Sequence, residues 1–376
     1  MFVYYTCFNT NNTIIDIADW RAIIFEQAQF IPTQTADNGY LQTITHKREL
    51  QQTTERTSTQ EKNDLENLWR ALKDSNINPE EHYYHFTIPK TTGGVRPIDA
   101  PDETLRNYLK RIRTYFEYQC HMLPHNAAFA YFKTRSIKNA LEVHQKNESN
   151  WFAKLDMSNF FPSITTEVLY KHLIQLYPFY KFNDTMKAQL KDICKFCTLN
   201  DKLPQGAETS PLLSNLVMVP FDYHLSAWAY KHHFRYTRYA DDIIISNQRR
   251  FNINQITEVV NNLLASLQYP MRLNDNKTRY GSRAGQNWNL GLMLNQQNNI
   301  TLGYKKKECL RAALNNFLKD WTNQQRWDIM STSRLMGELN YLELIEPEYA
   351  QRVFNKLQTK HNVHSWRDIA IQIIKG

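Results

Sequence analysis

The stretch FRYTRYADDIIISNQRR, residues 234–250, decides how this chain folds. Asp241 and Asp242 stand side by side, with an aromatic run before them and three isoleucines after them. Charges next to a buried apolar run are costly unless something neutralises them. A tight turn at Tyr239-Ala240-Asp241-Asp242 resolves the conflict: two strands stay buried while the turn lifts the carboxylates out of the sheet. The bland alternative is an ordinary Asp-containing hairpin turn. A second acidic strand tips the balance. FAKLDMSNFFPSI, residues 152–164, places Asp156 at the end of another apolar run. If the two strands are neighbours, Asp156 and Asp241 face each other across a short gap. Clustered carboxylates repel each other, and divalent cations relieve this. Mg²⁺ favours a few carboxylates together with substrate phosphates. Two metals about 3.5–4 Å apart can activate an attacking oxygen and stabilise a leaving one, which is the chemistry of nucleotidyl transfer.

Working outward, HYYHFTIPKTTGGVRPIDAP (82–101) predicts a hairpin turning at Gly93-Gly94. Residues 102–123 have helical periodicity with an acidic start. TTEVLYKHLIQLY (165–177) and NDTMKAQLKDICKFCTL (183–199) predict helices, and a loop at LPQGAETSP leads into one long helix ending near His233. A helix is expected over residues 254–267, then a hairpin turning at Gln297–Asn299, then helices from Lys305 onward. Strands and helices mix without regular βαβ alternation, so the expected class is α+β. Residues 1–75, polar and rich in Gln, Thr and Asn, are expected to form an N-terminal extension of unknown function that runs into a helix.

The formal net charge of +8 and a pI near 9.0 fit a polyanionic partner. No apolar run of about 18 residues is present, which argues against a membrane span. The N-terminus MFVYYTCFNTNNTIID lacks the basic start and apolar centre of a secretion signal. Five scattered cysteines predict a reducing, cytoplasmic setting. Cys194 and Cys197 form a lone C-x-x-C without a second pair at zinc-ligand spacing, so they read as core residues of a helix.

YADD after an aromatic strand, LDMSNFFPSI upstream and LPQGAETSP between them resemble reverse transcriptase motifs in the family's order. IPKTTGGVRPIDAP resembles the fingers hairpin, LNDNKTRY (273–280) the lysine-bearing motif after the active site, and WNLGLMLN (288–295) the primer-grip hairpin. The resemblance spans about residues 83–305. It implies a right-hand polymerase fold, with fingers and palm over 76–290 and the end of the primer-grip hairpin plus a helical thumb over 291–376. By position, Asp156 and Asp241 would hold two Mg²⁺ (or Mn²⁺) ions, with Asp242 as a supporting carboxylate and the Met157 carbonyl as a further ligand. Phe161 would be an aromatic gate against a ribose 2′-hydroxyl, which implies dNTP substrates. Gln205 would sit beside the incoming nucleotide, and Gly206 would bring the backbone close to it. Lys90 and Arg96, flanking the hairpin turn, would fold over the triphosphate. Lys277 would protonate pyrophosphate as general acid. Leu290, Gly291 and Leu292 would grip the primer, and Lys305, Lys306, Lys307 and Arg311 would touch the template–primer duplex.

TRSIKNALEVHQ (134–145) and SRLMGELNYLELIEP (333–347) are similar to bacterial retron-type enzymes. Two departures stand out. NALEVH has one more residue between Ala140 and His144 than the usual N-A-x-x-H, and Asn289-Leu290-Gly291 stands where V-T-G is usual. A divergent retron reverse transcriptase is favoured over the neighbouring class of defence-associated enzymes, which make repetitive or untemplated DNA and are in some cases protein-primed. Both imply a dedicated noncoding RNA, an RNA–DNA product and an antiphage role. The retron reading adds a separate effector protein, since no effector module is legible here. The readings from other classes are an untemplated nucleotidyl transferase, an RNA-dependent RNA polymerase and a catalytically silent RNA-binding scaffold. Intact Asp156, Asp241, Asp242 and Gln205 oppose the scaffold, and Phe161 opposes the RNA polymerase.

Overall fold

The structure is a computed structural model; it describes residues 58–90, 93–120, 123–284, 288 and 291–375. Leu290 and most of the expected N-terminal extension lie outside the described residues. The first described element is helix α1 (Ser58–Lys73). A projecting hairpin follows, β1 (Tyr83–Pro89) and β2 (Val95–Pro101), paired from Tyr83↔Pro101 to Pro89↔Val95. Its turn closes through the Lys90 N–H on the Gly94 carbonyl, and both Gly93 and Gly94 have the positive φ that favours glycine.

The central sheet is built around β3 (Trp151–Ser158). On one side β3 pairs antiparallel with β5 (Asp242–Asn247), which in turn pairs with β4 (Arg235–Tyr239). On its other side β3 carries β6 (Arg272–Leu273) and β7 (Arg279–Ser282). Helix α2 (Glu103–Cys120) follows the β1–β2 hairpin, and α3 (Ile137–Lys146) precedes β3. Then come α4 (Thr166–Leu173), α5 (Asp184–Phe196), α6 (Ser210–Val217), α7 (Val219–Lys231) and α8 (Ile253–Ser266). Cys194 and Cys197 are buried thiols at the end of α5, as core residues would be.

The isoleucine run follows from a sheet covered on both faces. Ile243 and Ile245 point into a large core with Leu155, Phe221 and Leu225, whereas Ile244 points the other way, into a second core with Phe152 and Leu141. A strand buried on both faces reads as a continuous apolar run rather than an alternation. Each isoleucine contributes about 1.5–3 kcal/mol of burial.

The second core continues into the C-terminal part of the chain. There the short hairpin β8 (Met293–Leu294) and β9 (Ile300–Thr301) leads to α9 (Tyr304–Thr322), α10 (Ile329–Ile345), α11 (Pro347–Lys360) and α12 (Trp366–Lys375). Hairpin, sheet and C-terminal helices follow one another in the order expected of fingers, palm and thumb, and their mixed helix and sheet content is the α+β class expected. One expectation needs correction. The single long helix after LPQGAETSP is two helices, broken at Met218, because Pro220 lies in the first turn of α7 and cannot continue the preceding helix.

Candidate active site

Asp156 and Asp242 are register partners across β3 and β5, so their side chains share one sheet face. Asp241 does not lie opposite Asp156; it occupies the two-residue turn beyond that pair, with Ala240 before it at φ +56°. The Met157 N–H donates to the Asp241 carbonyl at 3.0 Å, which ties the end of β3 to the turn. Three carboxylates therefore collect at one end of the palm sheet.

Their electrostatics follow from this crowding. Burial, and then the charge of Asp242, push the Asp241 carboxyl up to about 6. Burial also raises Asp242, with Lys154 pulling in the opposite direction. Two lysines supply counter-charge: Lys154 Nζ donates to Asp242 at 2.7 Å, and Lys277 Nζ sits 3.0 and 3.1 Å from the two oxygens of Asp156. Lys277 comes from the short turn after β6, where the Asn274 N–H donates to the Asp156 carbonyl. Among the described residues, no three His, Cys, Asp or Glu side chains are placed so that together they could hold a metal ion as they stand. The donor set nevertheless suits a hard divalent ion, being all oxygen, clustered and partly desolvated. Asp156, Asp241 and Asp242 are the groups able to hold one.

A second set of contacts fixes the turn from beneath. Arg238 is fully buried and grips Asp222 of α7 bidentately, at 2.8 and 2.6 Å. Its remaining Nη1 donates to the Ala240 carbonyl at 3.0 Å, inside the turn itself. Tyr236 Oη also donates to Asp222, at 2.7 Å. On the other sheet face, His144 of α3 lies within 2.6 Å of Ser246 Oγ and 2.8 Å of Thr237 Oγ1. Burial drives its imidazole down to about 3, so it serves there as a neutral group. Ala140 and His144 are both buried, one turn apart on α3, and the extra residue in NALEVH leaves them facing the same side.

The outer edge of β4 is covered by the loop before α3. The Arg238 N–H donates to the Ala127 carbonyl and the Phe129 N–H to the Arg238 carbonyl, at 2.7 and 2.8 Å. This pairing brings Tyr131 to the site. Its ring lies 6.3 Å from that of Phe161, and burial together with the Asp241 charge pushes its phenol up to about 12. Phe161 is half-buried, packed edge-on against buried Phe160.

The remaining expected residues divide. Gly206 does make a close approach, but to the fingers: a Cβ there would meet the Asp99 carbonyl of β2 at 2.6 Å, and the Gln205 carbonyl accepts from the Asp99 N–H. Lys90 and Arg96 are exposed on the hairpin, and the Arg96 charge reaches Tyr131. Gly291 has φ +103°, and Leu292 is buried. Among the thumb cations, Lys306 pairs with Glu338 and Arg311 with Glu308. Lys307 is held by Glu346 at 2.9 Å and lies over the Tyr349 ring. Lys305 is exposed and forms no ion pair among the described residues.

The family model for "Reverse transcriptase (RNA-dependent DNA polymerase)" matches residues 88–309, more than half of the chain. The chain belongs to the reverse transcriptase family. Among curated relatives it is 29% identical to the retron Ec83 reverse transcriptase of Escherichia coli, over 77% of this chain and 92% of that one. It is 27% identical to the retron Ec73 reverse transcriptase of the same species, over 74% and 90%. The retron Mx65 reverse transcriptase of Myxococcus xanthus is 28% identical, over 72% and 63%. Among solved structures, apo telomerase from Candida tropicalis, truncated from its C-terminal domain, superposes at a TM-score of 0.45 with 14% identity, covering 64% of this chain and 59% of that one. This reverse transcriptase has no helix, among the described residues, long and apolar enough to cross a membrane. Three residues at its site carried no expectation from sequence: Lys154, Arg238 and Tyr131. Lys154 was findable, because two residues before Asp156 on a strand is the same face.

Proposed function

We propose that this RNA-directed DNA polymerase copies a dedicated structured noncoding RNA into a retron-type DNA as part of an antiphage defence system. The observation that carries the polymerase chemistry is the convergence of Asp156, Asp241 and Asp242 at one end of the palm sheet in a chain of this family. The retron assignment draws on the named relatives, of which the chain covers 92% and 90% of the two Escherichia coli enzymes and 63% of the Myxococcus xanthus one.

In this reading Asp156 and Asp241 hold two Mg²⁺ ions, with Asp242 beside them and the Met157 carbonyl as a further ligand. When bound, the ions lower the pKa of the primer 3′-hydroxyl and stabilise charge on the transferring phosphoryl group. The protein's own groups do the rest. Lys277 leaves Asp156 and delivers a proton to the departing pyrophosphate. Phe161 excludes a 2′-hydroxyl by contact, while Lys90 and Arg96 close on the triphosphate and Gln205 flanks the nucleotide. Leu290, Gly291 and Leu292 seat the primer end. Lys305 is the thumb cation best placed to reach a duplex; Lys306, Lys307 and Arg311 first have to release their carboxylates. A separate effector protein completes the system.

The test is to purify the protein from its native locus and sequence the bound nucleic acid. A branched RNA–DNA with one defined DNA is the expected result. Repetitive or homopolymeric DNA would move the enzyme to the other defence class, and RNA alone would overturn both. Asp241→Asn should retain RNA and make no DNA. Phe161→Ala should incorporate ribonucleotides more readily, and unchanged rejection would remove Phe161 as the gate.

A further inference from the structure

The β4–β5 hairpin is acidic at one end and basic at the other. Opposite the carboxylates, where β4 begins and β5 ends, a cavity of about 570 Å³ opens beside the sheet. Its rim carries Arg235, Arg249, Arg250, His232 and His233, and no carboxylate lines it among the described residues. None of the three arginines forms an ion pair with a carboxylate among the described residues, whereas Arg70, Arg106, Arg113, Arg311 and Arg367 elsewhere on the surface each hold one. Uncompensated arginines gathered around one concavity repel each other unless an anion joins them, and guanidinium suits phosphate through its planar fork.

The cavity is also rigid. Phe234 and Phe251 line it, edge to face at 5.1 Å, and Phe234 stacks on Trp228. Arg250 lies over the Trp151 ring at 5.3 Å. Asn247 fixes the loops on either side, its Nδ2 donating to the His233 carbonyl and its Oδ1 accepting from the Arg249 N–H. The Gln248 side chain ties the same loop to the Asn147 carbonyl. Four residue steps along the strand lead from Arg235 to Tyr239, a rise of about 13 Å, so the cavity is remote from the reacting groups.

We propose that this basic cleft at the far end of the catalytic hairpin holds a helical stem of RNA by its sugar-phosphate backbone, outside the path of the primer–template duplex. The proposal rests on the reading that the enzyme works on a structured RNA. Open concave shape, a cationic rim and the absence of acid fit backbone phosphates rather than base edges. A nucleoside diphosphate offers the same phosphate chemistry, and the experiment separates the two.

The variant Arg235→Gln/Arg249→Gln/Arg250→Gln removes the charge at three positions on the cavity rim while keeping a polar side chain at each. Three measurements use the full chain: binding of a 20-base-pair RNA hairpin with a blocked 3′ end across a salt series, binding of ADP, and extension of an unrelated annealed primer–template. The expected result is at least a tenfold loss of hairpin affinity and a salt slope shallower by about two to three, since each lost phosphate contact removes roughly 0.9. Primer extension should stay within twofold and the melting temperature should not change. Unchanged hairpin affinity and slope would overturn the proposal. Loss of extension in parallel would assign the cleft to the catalytic duplex and also overturn it. So would ADP binding that disappears in the variant while hairpin binding persists. Extension by the unmodified enzyme reads the polymerase function separately, so a failure of that reading is distinguishable from a failure of this one.

Discussion

Replacing Asp241 by asparagine should abolish DNA synthesis and, with metal removed, make the protein more stable. The magnitude follows from the crowding at the turn. In the folded protein the Asp241 carboxyl is pushed from its ordinary 3.8 to about 6. The folded state therefore binds a proton more tightly than the unfolded state, and at neutral pH the ionised carboxylate is a net cost. A displacement of that size corresponds to about 3 kcal/mol. Residual structure and local solvent reduce it, so the expected gain for Asp241→Asn is about 1–3 kcal/mol. At roughly 1–2 °C per kcal/mol for a chain of 376 residues, the melting temperature should rise by about 1–5 °C. The sign fixes the pH window: the gap between variant and parent should be absent below about pH 4, open through pH 6 and be full at pH 7.5. Thermal melts in EDTA across that range measure it. Adding Mg²⁺ should stabilise the parent and leave the variant nearly unmoved, so the gap narrows. A variant melting at or below the parent in EDTA at pH 7.5 would refute the reasoning, because the three carboxylates would then not be in conflict.

Other outcomes follow from neighbouring contacts. Arg238→Met leaves Asp222 buried without its partner and should cost about 3–5 kcal/mol in urea denaturation; Arg238→Met with Asp222→Leu should recover most of it. Gly206→Ala forces a Cβ to within 2.6 Å of the Asp99 carbonyl at a φ of +142°; a cost of about 2–4 kcal/mol and faster proteolysis of the β1–β2 hairpin should be seen. Glu346→Gln removes the anchor of Lys307 and should cost about 1.5–3 kcal/mol, with shorter products per binding event on a long template.

The fold was largely legible because its signals are local. The paired aspartates, the glycine turn at 93–94 and the apolar runs each declare an element from neighbouring residues alone. What sequence could not supply was register. Nothing in YADD says whether Asp241 or Asp242 faces Asp156, since that depends on which two residues make the turn. Gly206 shows the same limit: its type called for a close backbone approach, but the partner, Asp99, lies more than a hundred positions away. Lys306, Lys307 and Arg311 read from sequence as duplex contacts, and their carboxylates, at 308, 338 and 346, lie on the same helix, on the next and at the junction after it. Helix α3 was missed as an element, its ten residues being too short and too polar at the start to outweigh the surrounding loop.

The pairing of residues 127–129 along β4 has a consequence for anyone who would alter this enzyme. A loop on the surface of a polymerase looks like a convenient place to graft a tag or a binding peptide. Here the same strand carries Arg238 toward the turn and carries the loop that ends in Tyr131. An insertion between Leu123 and Tyr131 would shift hydrogen bonds on β4 and, through Arg238, the carboxylates themselves. Loop and active site form one mechanical part, to be engineered together.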